Sequence, residues 1–174
     1  EMLRADPELA GRPYAVVAPT SRWPGKRWPA ERFAQVAAGL LDRGFERVVL
    51  VGSSSERDQC APTLDLCARD KRVLDRLGAT SVGGLLATIE ASSLVIANDS
   101  AALHIAVGFQ RPIVALFGPT RIDLVGPYHH ERDVIQHLEP GETESLDHKN
   151  ERRGRELMER ITPAEVLERV DAIA

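Results

Sequence analysis

The chain has 174 residues, 43% of them apolar and 28% charged, and a formal net charge of −4. That length suits one well-buried domain and is short for two, and the charge gives no bulk attraction for nucleic acid or an anionic membrane surface. No apolar run approaches a membrane span and the opening residues do not read as a signal peptide.

In chain order, EMLRADPELAGR is polar and helix-like and reads as an interdomain linker over residues 1–13, joined to a single α/β domain over 14–174. YAVVAP (14–19) is a short apolar run bounded by proline and turn residues, which predicts a buried strand. PAERFAQVAAGLLDRG then spaces Phe33, Val36, Ala37, Leu40 and Leu41 as one helical face and stops at Gly44. RVVLVG (47–52) is a second strand. The next helix opens on a capping-box pattern, Ser53 to Glu56, and Pro62 should end or kink its first segment. Cys60 and Cys67 fall on this helix about two turns apart, roughly 10 Å of rise, too far for a disulfide. Reduced thiols point to the cytoplasm.

A weak strand near Val73 and a helix from Ser81 to Ala91 follow. LVIAN (94–98) and PIVALF (112–117) are the two best strands, separated by a helix containing Ala101–Val107, and DVIQHL supplies a sixth. LEPGETESLDHKNERRGRE is polar, charge-rich and reads as a mobile loop. ITPAEVLERVDAIA closes the chain with a second capping box, Thr162 to Glu165, and Pro163 at the first helical position.

Strands spaced by helices of ten to fifteen residues mean βαβ units, hence a doubly wound, mostly parallel sheet flanked by helices. Such a sheet binds ligands at the carboxyl ends of its strands, where strand order reverses, so the strand-to-helix turns carry the information. Two of them are chemically loaded. APTSRWPGKRWPAERF presents Thr20, Ser21, Arg22 and Lys26 ahead of a proline-led helix start. Cations, hydroxyls and a helix N-terminus describe an anion site, and the competing reading is a solvated basic loop with Trp23 and Trp28 packed beneath it. Neither P-loop nor G-x-G-x-x-G spacing occurs.

The second turn is NDSAALH (98–104). Ser100 falls at the N-cap of the following helix, its hydroxyl and the next N–H groups free for an anion. Asp99 would repel phosphate, so its natural partners are hydroxyls such as those of a sugar. His104, four residues on, shares the Ser100 face. Against this, Asp99 could be a second cap and His104 a packed histidine. FGPT (117–120) adds a third turn at the same sheet edge. His129, His130, His137 and His148 lack metal-ligand spacing and read as solvated, and no metal or cofactor is expected.

Taken together, TSRWPGKRWPAERFAQVA, VVLVGSSSER, LVIANDSAALHIAVGFQRPIVALFGPTRIDLVGPY and ITPAEVLERV resemble the carboxyl-terminal half of the heptosyltransferases, the family 9 glycosyltransferases. The resemblance implies a Rossmann-like, donor-binding half of a two-domain GT-B architecture. It implies an inverting, metal-independent enzyme that moves heptose from ADP-heptose onto a growing lipopolysaccharide core, in the cytoplasm or peripherally at the inner membrane. Carried over by position, Thr20 and Ser21 match hydroxyls near the donor phosphates, Lys26 the lysine that neutralises them, and Glu56 an acidic residue for the ribose. Thr80 or Ser81 aligns near the base, Asp99 and Ser100 match the aspartate and threonine of the family's DTG turn, and His104 the histidine that follows.

Two departures stand out: SRWPGK is one residue longer than the commonest form of its loop, and Ala101 replaces a frequent glycine, placing a Cβ where the backbone meets the phosphates. The family's catalytic carboxylate belongs to the amino-terminal domain, to which nothing here corresponds, so the resemblance leaves the catalytic residue and the acceptor site outside this sequence. Rival readings are half of another GT-B enzyme, such as a nucleotide-sugar epimerase, and a non-catalytic nucleotide-binding module.

Overall fold

The structure is a computed structural model and describes residues 7–173. Six strands form one sheet: β1 (Tyr14–Ala18), β2 (Arg47–Leu50), β3 (Val73–Asp75), β4 (Leu94–Asn98), β5 (Ile113–Leu116) and β6 (Val134–Ile135). Their order is β3-β2-β1-β4-β5-β6 and every pairing is parallel. The strands expected around Val16, Val49, Val95 and Val114 are therefore neighbours, with Val16 in register with both Val49 and Val95, and Ile96 with Val114. The sixth strand is only two residues long.

Seven α-helices flank this sheet among the described residues: α1 (Ala30–Asp42), α2 (Ala61–Arg69), α3 (Val82–Glu90), α4 (Ala101–Gly108), α5 (Ile122–Val125), α6 (Glu151–Met158) and α7 (Pro163–Ile173). Strand side chains alternate between two cores, as a period of two requires. Ala15, Val17, Val48, Leu50, Leu94, Ile96, Val114 and Leu116 face one side, where Phe33, Val36 and Leu40 of α1, Val166 and Val170 of α7 and Met158 of α6 cover them. Val16, Ala18, Val49, Val95, Ala97, Ile113 and Ala115 face the other, under Ile89 of α3 and Leu103 and Ala106 of α4. Every residue of β1, β4 and β5 is buried, as expected of a parallel sheet covered on both faces. Each fully buried Val, Leu, Ile or Phe side chain contributes roughly 1.5–3 kcal/mol.

Several sequence expectations are corrected. The segment read as a mobile loop contains the first six residues of α6, whose Asn150 cap accepts the Arg153 N–H at 3.1 Å. The stretch before α6 is tied down by Glu142, which takes Arg160 at 2.7 Å and also Arg153. The helix expected from Ser53 is split: Ser54–Cys60 is a 3₁₀ segment and α2 starts only at Ala61, because Pro62 lacks the N–H to continue the first ladder. Cys60 and Cys67 are both free thiols. The closing capping box is half formed: Thr162 Oγ1 accepts the Glu165 N–H at 3.3 Å, whereas the Glu165 carboxylate meets His137 at 2.8 Å. Of the expected linker, residues 1–6 lie outside the described residues. Beyond them Leu9 is 5% exposed and joins the α3–α4 core, and Arg12 pairs with Glu46.

Candidate functional site

Strand order reverses between β1 and β4. The loop that leaves β1 and the turn that leaves β4 are the two loaded turns, so the topology sets them side by side at the switch point. A buried amide joins them. Asn98, fully buried, donates to the Pro19 carbonyl at 3.0 Å and accepts the Trp28 N–H at 3.2 Å. Trp28 is itself buried, and its indole N–H donates to the Ile161 carbonyl at the base of α7.

Between these anchors the β1 loop makes a 3₁₀ turn, Pro24–Lys26, that delivers Lys26 to Asp99. Lys26 Nζ lies 2.6 Å from Asp99 Oδ2, with side chains only 14% and 9% exposed. His104 Nε2 is 3.8 Å from the other carboxylate oxygen. Burial pushes the Asp99 carboxyl up, but the contacts with His104 and Lys26 outweigh it and hold the group below its ordinary value. Ser100 occupies the N-cap position of α4 in extended conformation, yet its hydroxyl caps nothing. The Ser100 hydroxyl is buried without a hydrogen-bond partner, while that of Thr120 is turned toward the Asp99 carboxylate. Native structures pair nearly all such groups, so the unpartnered Ser100 hydroxyl at the N-terminus of α4 marks a place suited to a polar ligand.

A cleft of about 430 Å³ opens at this point, lined by Thr20, Ser21, Arg22, Glu56, Thr80, Ser81, Asp99, Ser100 and Ala101. Nine expected site residues thus share one cavity, and Lys26 and His104 adjoin it through Asp99. Two of the hydroxyls have local roles as well. Thr20 donates to Glu56 Oε2 at 3.1 Å, the oxygen that also takes the Ser53 N–H and hydroxyl. Ser81 caps α3 by accepting the Gly84 N–H at 3.1 Å. A hollow of about 490 Å³ between residues 9–12 and the flank of α3 shares only Thr80 and Ser81 with the expected set.

Some surroundings differ from expectation. Trp28 packs beneath the β1 loop, but Trp23 is 36% exposed at the cleft rim. Of the four histidines read as solvated, His129 and His137 are exposed, beside Tyr128 and Glu165, whereas His130 and His148 are half-buried against Asp133 and Trp23. Burial pushes the Cys60 and Cys67 thiols up to about 11, leaving neither thiol the thiolate character a nucleophile needs. Sequence reasoning missed three positioning residues: Asn98, whose buried amide has no surface signature, and the glycine pair Gly25 and Gly154. A Cβ on Gly154 would sit 2.4 Å from the Gly25 carbonyl oxygen, so α6 packs directly on the turn that carries Lys26.

A parallel sheet in this order, with an ion-paired cleft at its switch point, defines a doubly wound, Rossmann-like ligand-binding domain. The family model for glycosyltransferase family 9 (heptosyltransferase) matches residues 1–153, and the chain belongs to that family. It is similar to lipopolysaccharide heptosyltransferase 2 of Escherichia coli strain K12, 31% identical over 152 residues, which cover 86% of this chain and 43% of that protein. Lipooligosaccharide heptosyltransferase 2 of Haemophilus influenzae is 28% identical over 170 residues, covering 95% of this chain and 48% of the relative. The solved structure of the E. coli ADP-heptose lps heptosyltransferase II superposes with a TM-score of 0.79 at 30% identity, over 94% of this chain and 47% of that one. The chain thus spans less than half the length of these relatives. The fold is the Rossmann-like α/β half of the GT-B heptosyltransferase architecture. Among the described residues no helix is long and apolar enough to cross a membrane.

Proposed function

We propose that this chain is the donor-binding domain of an inverting, metal-independent glycosyltransferase of lipopolysaccharide core synthesis, and that its donor is ADP-heptose. The observation that carries the reading is the Lys26–Asp99 pair at the switch point, set against the N-terminus of α4 with its unpartnered Ser100 hydroxyl. The naming of ADP-heptose in the E. coli relative directs the choice of donor.

In the unliganded site Lys26 is held by Asp99. A diphosphate entering the cleft competes for that ammonium, while the α4 N–H groups and Ser100 hydroxyl donate to its oxygens. Asp99, once shared, turns an oxygen to the sugar hydroxyls. Glu56 faces the ribose, with Thr80 and Ser81 near the base. As the bond from the anomeric carbon to the diphosphate oxygen breaks, negative charge grows on the leaving group, and Lys26, Arg22 and the fixed amides stabilise it without reorganising. The acceptor hydroxyl attacks from the opposite face and gives its proton to a carboxylate that the family resemblance assigns to the other domain.

Calorimetry with ADP, UDP, adenosine and ADP-heptose tests the reading. ADP is expected to bind more tightly than UDP or adenosine, and Lys26→Ala to lose about tenfold or more for ADP with little change for adenosine, since a charge-assisted contact is worth on the order of 1.5–3 kcal/mol. Equal losses for both ligands, or no nucleotide binding, overturn it.

A further inference from the structure

Asp99 lines the cleft and Lys26 does not. The Lys26 ammonium is engaged by that carboxylate, 2.6 Å from Oδ2, with its side chain only 14% exposed. The backbone on both sides of the pair is braced. The Arg27 guanidinium donates to the Ser21 and Arg22 carbonyls at 2.8 and 3.2 Å, the Lys26 N–H donates to the Trp23 carbonyl at 3.0 Å, and Asn98 ties the two turns together. A change of partner at Lys26 is therefore a rotation of its four-carbon stem, with the loop left in place. Asp99 has less freedom. It is 9% exposed, follows the buried Asn98, and has His104 Nε2 3.8 Å from its other oxygen and the Thr120 hydroxyl turned toward it.

We infer that Asp99 discriminates a sugar-bearing nucleotide from the bare nucleoside diphosphate by exchanging Lys26 for sugar hydroxyls. A diphosphate that draws the ammonium away leaves a buried carboxylate without its cation, and breaking one side of a buried pair is strongly unfavourable. A sugar on that diphosphate brings hydroxyl donors to the carboxylate oxygens that the ammonium vacates. The bare diphosphate brings none and binds against the ion pair. Once the sugar has left, Asp99 recaptures the ammonium and the spent nucleotide loses its cation. The inference rests on the proposed donor reading and adds to it a specificity role for Asp99, preference for substrate over product.

Calorimetry on the whole 174-residue chain with ADP and ADP-heptose tests the exchange. The unaltered chain is expected to bind ADP-heptose about tenfold or more tighter than ADP. Asp99→Asn releases the ammonium outright, so it should tighten ADP about fivefold and bring the two ligands within about threefold of each other. Asp99→Ala, which introduces no amide donor, should do the same. In Lys26→Ala there is no ammonium to release, and adding Asp99→Asn should change ADP by no more than about twofold, a non-additivity that reports the pair. A gain of the same size without Lys26 makes Asp99 a plain source of repulsion and overturns the exchange. Equal tightening of both ligands overturns it too, as does a loss for both together with a lower urea midpoint, which would make Asp99 a structural cap. ADP binding that ignores both Asp99 variants removes the exchange and leaves the donor reading standing, whereas no nucleotide binding to the unaltered chain removes both.

Discussion

Asn98 is fully buried at the end of β4, and both ends of its amide are in use, one on the Pro19 carbonyl and the other on the Trp28 N–H. Neither backbone group can find water there, so Asn98→Ala strands a donor and an acceptor at once. The expected cost is about 2–4 kcal/mol at the usual penalty for each stranded group, read as a lower urea midpoint, and Asn98→Asp should fare no better because a carboxylate oxygen then faces the Pro19 carbonyl. One position on, Asp99 adds a pH dependence. Its carboxyl is held below the ordinary aspartate value in the folded chain despite burial, chiefly through His104 and Lys26. A folded-state pKa below the unfolded one contributes stability that is complete above about pH 4 and lost as pH falls through the depressed value. Urea titrations from pH 7 to pH 2.5 should therefore show the unaltered chain losing stability more steeply below about pH 4 than Asp99→Asn does. Parallel curves for the two would mean that the pair adds nothing to stability.

The helix α6 is the element on which sequence and structure diverge most, and it bears on the site because it supports the Lys26 turn. At Gly154 an added Cβ meets the Gly25 carbonyl oxygen at 2.4 Å and its Cα at 2.6 Å, backbone atoms that cannot swing aside. At Gly25 the nearest atoms lie 3.4 Å away, ordinary contact. Gly154→Ala is accordingly expected to cost about 1–3 kcal/mol by overpacking and to weaken ADP binding by displacing Lys26, while Gly25→Ala changes both far less. Thermal melts and ADP titrations of the two variants check this, and equal effects would remove α6 from the site. The helix was hard to read because its core contribution is confined to Gly154, Leu157 and Met158 at one end, too few for a helical period to show. What the sequence does carry there is the Asn150 cap and an ion pair between Glu151 and Arg155, one turn apart, signals of surface helix that a search for apolar stripes passes over. By contrast β1, β4 and β5 are continuous apolar runs, buried on both faces, and stand out at once. Lys26, Asp99 and Ser100 were legible because charge and hydroxyls at a strand end have few structural uses. Asn98 was not, because its partners are backbone groups 70 and more residues away.

At the scale of the whole molecule, the cleft is one-sided. The Lys26 and Asp99 side chains are themselves mostly covered, 14% and 9% exposed, but the hollow beside them that Thr20, Ser81 and Ser100 line opens to solvent. On the proposed function, binding requires only the two loaded turns and the α4 N-terminus, whereas transfer also requires an acceptor held in line with the anomeric carbon and a base within about 3 Å of its hydroxyl. Relatives are about twice as long as this chain, and the family resemblance places that base in their other domain. An open cleft keeps water around the diphosphate, weakening each charge contact relative to a closed site. The 174-residue chain is therefore expected to bind ADP and ADP-heptose weakly, to do so equally with and without EDTA because Lys26 and backbone N–H groups supply the positive charge, and to transfer no heptose to lipopolysaccharide core. Adding a separately expressed amino-terminal domain from a family member should tighten nucleotide binding if the two halves close on one donor. Transfer by this chain alone would place a competent base within its own residues, and an EDTA-sensitive affinity would mean that a metal, not Lys26, carries the diphosphate.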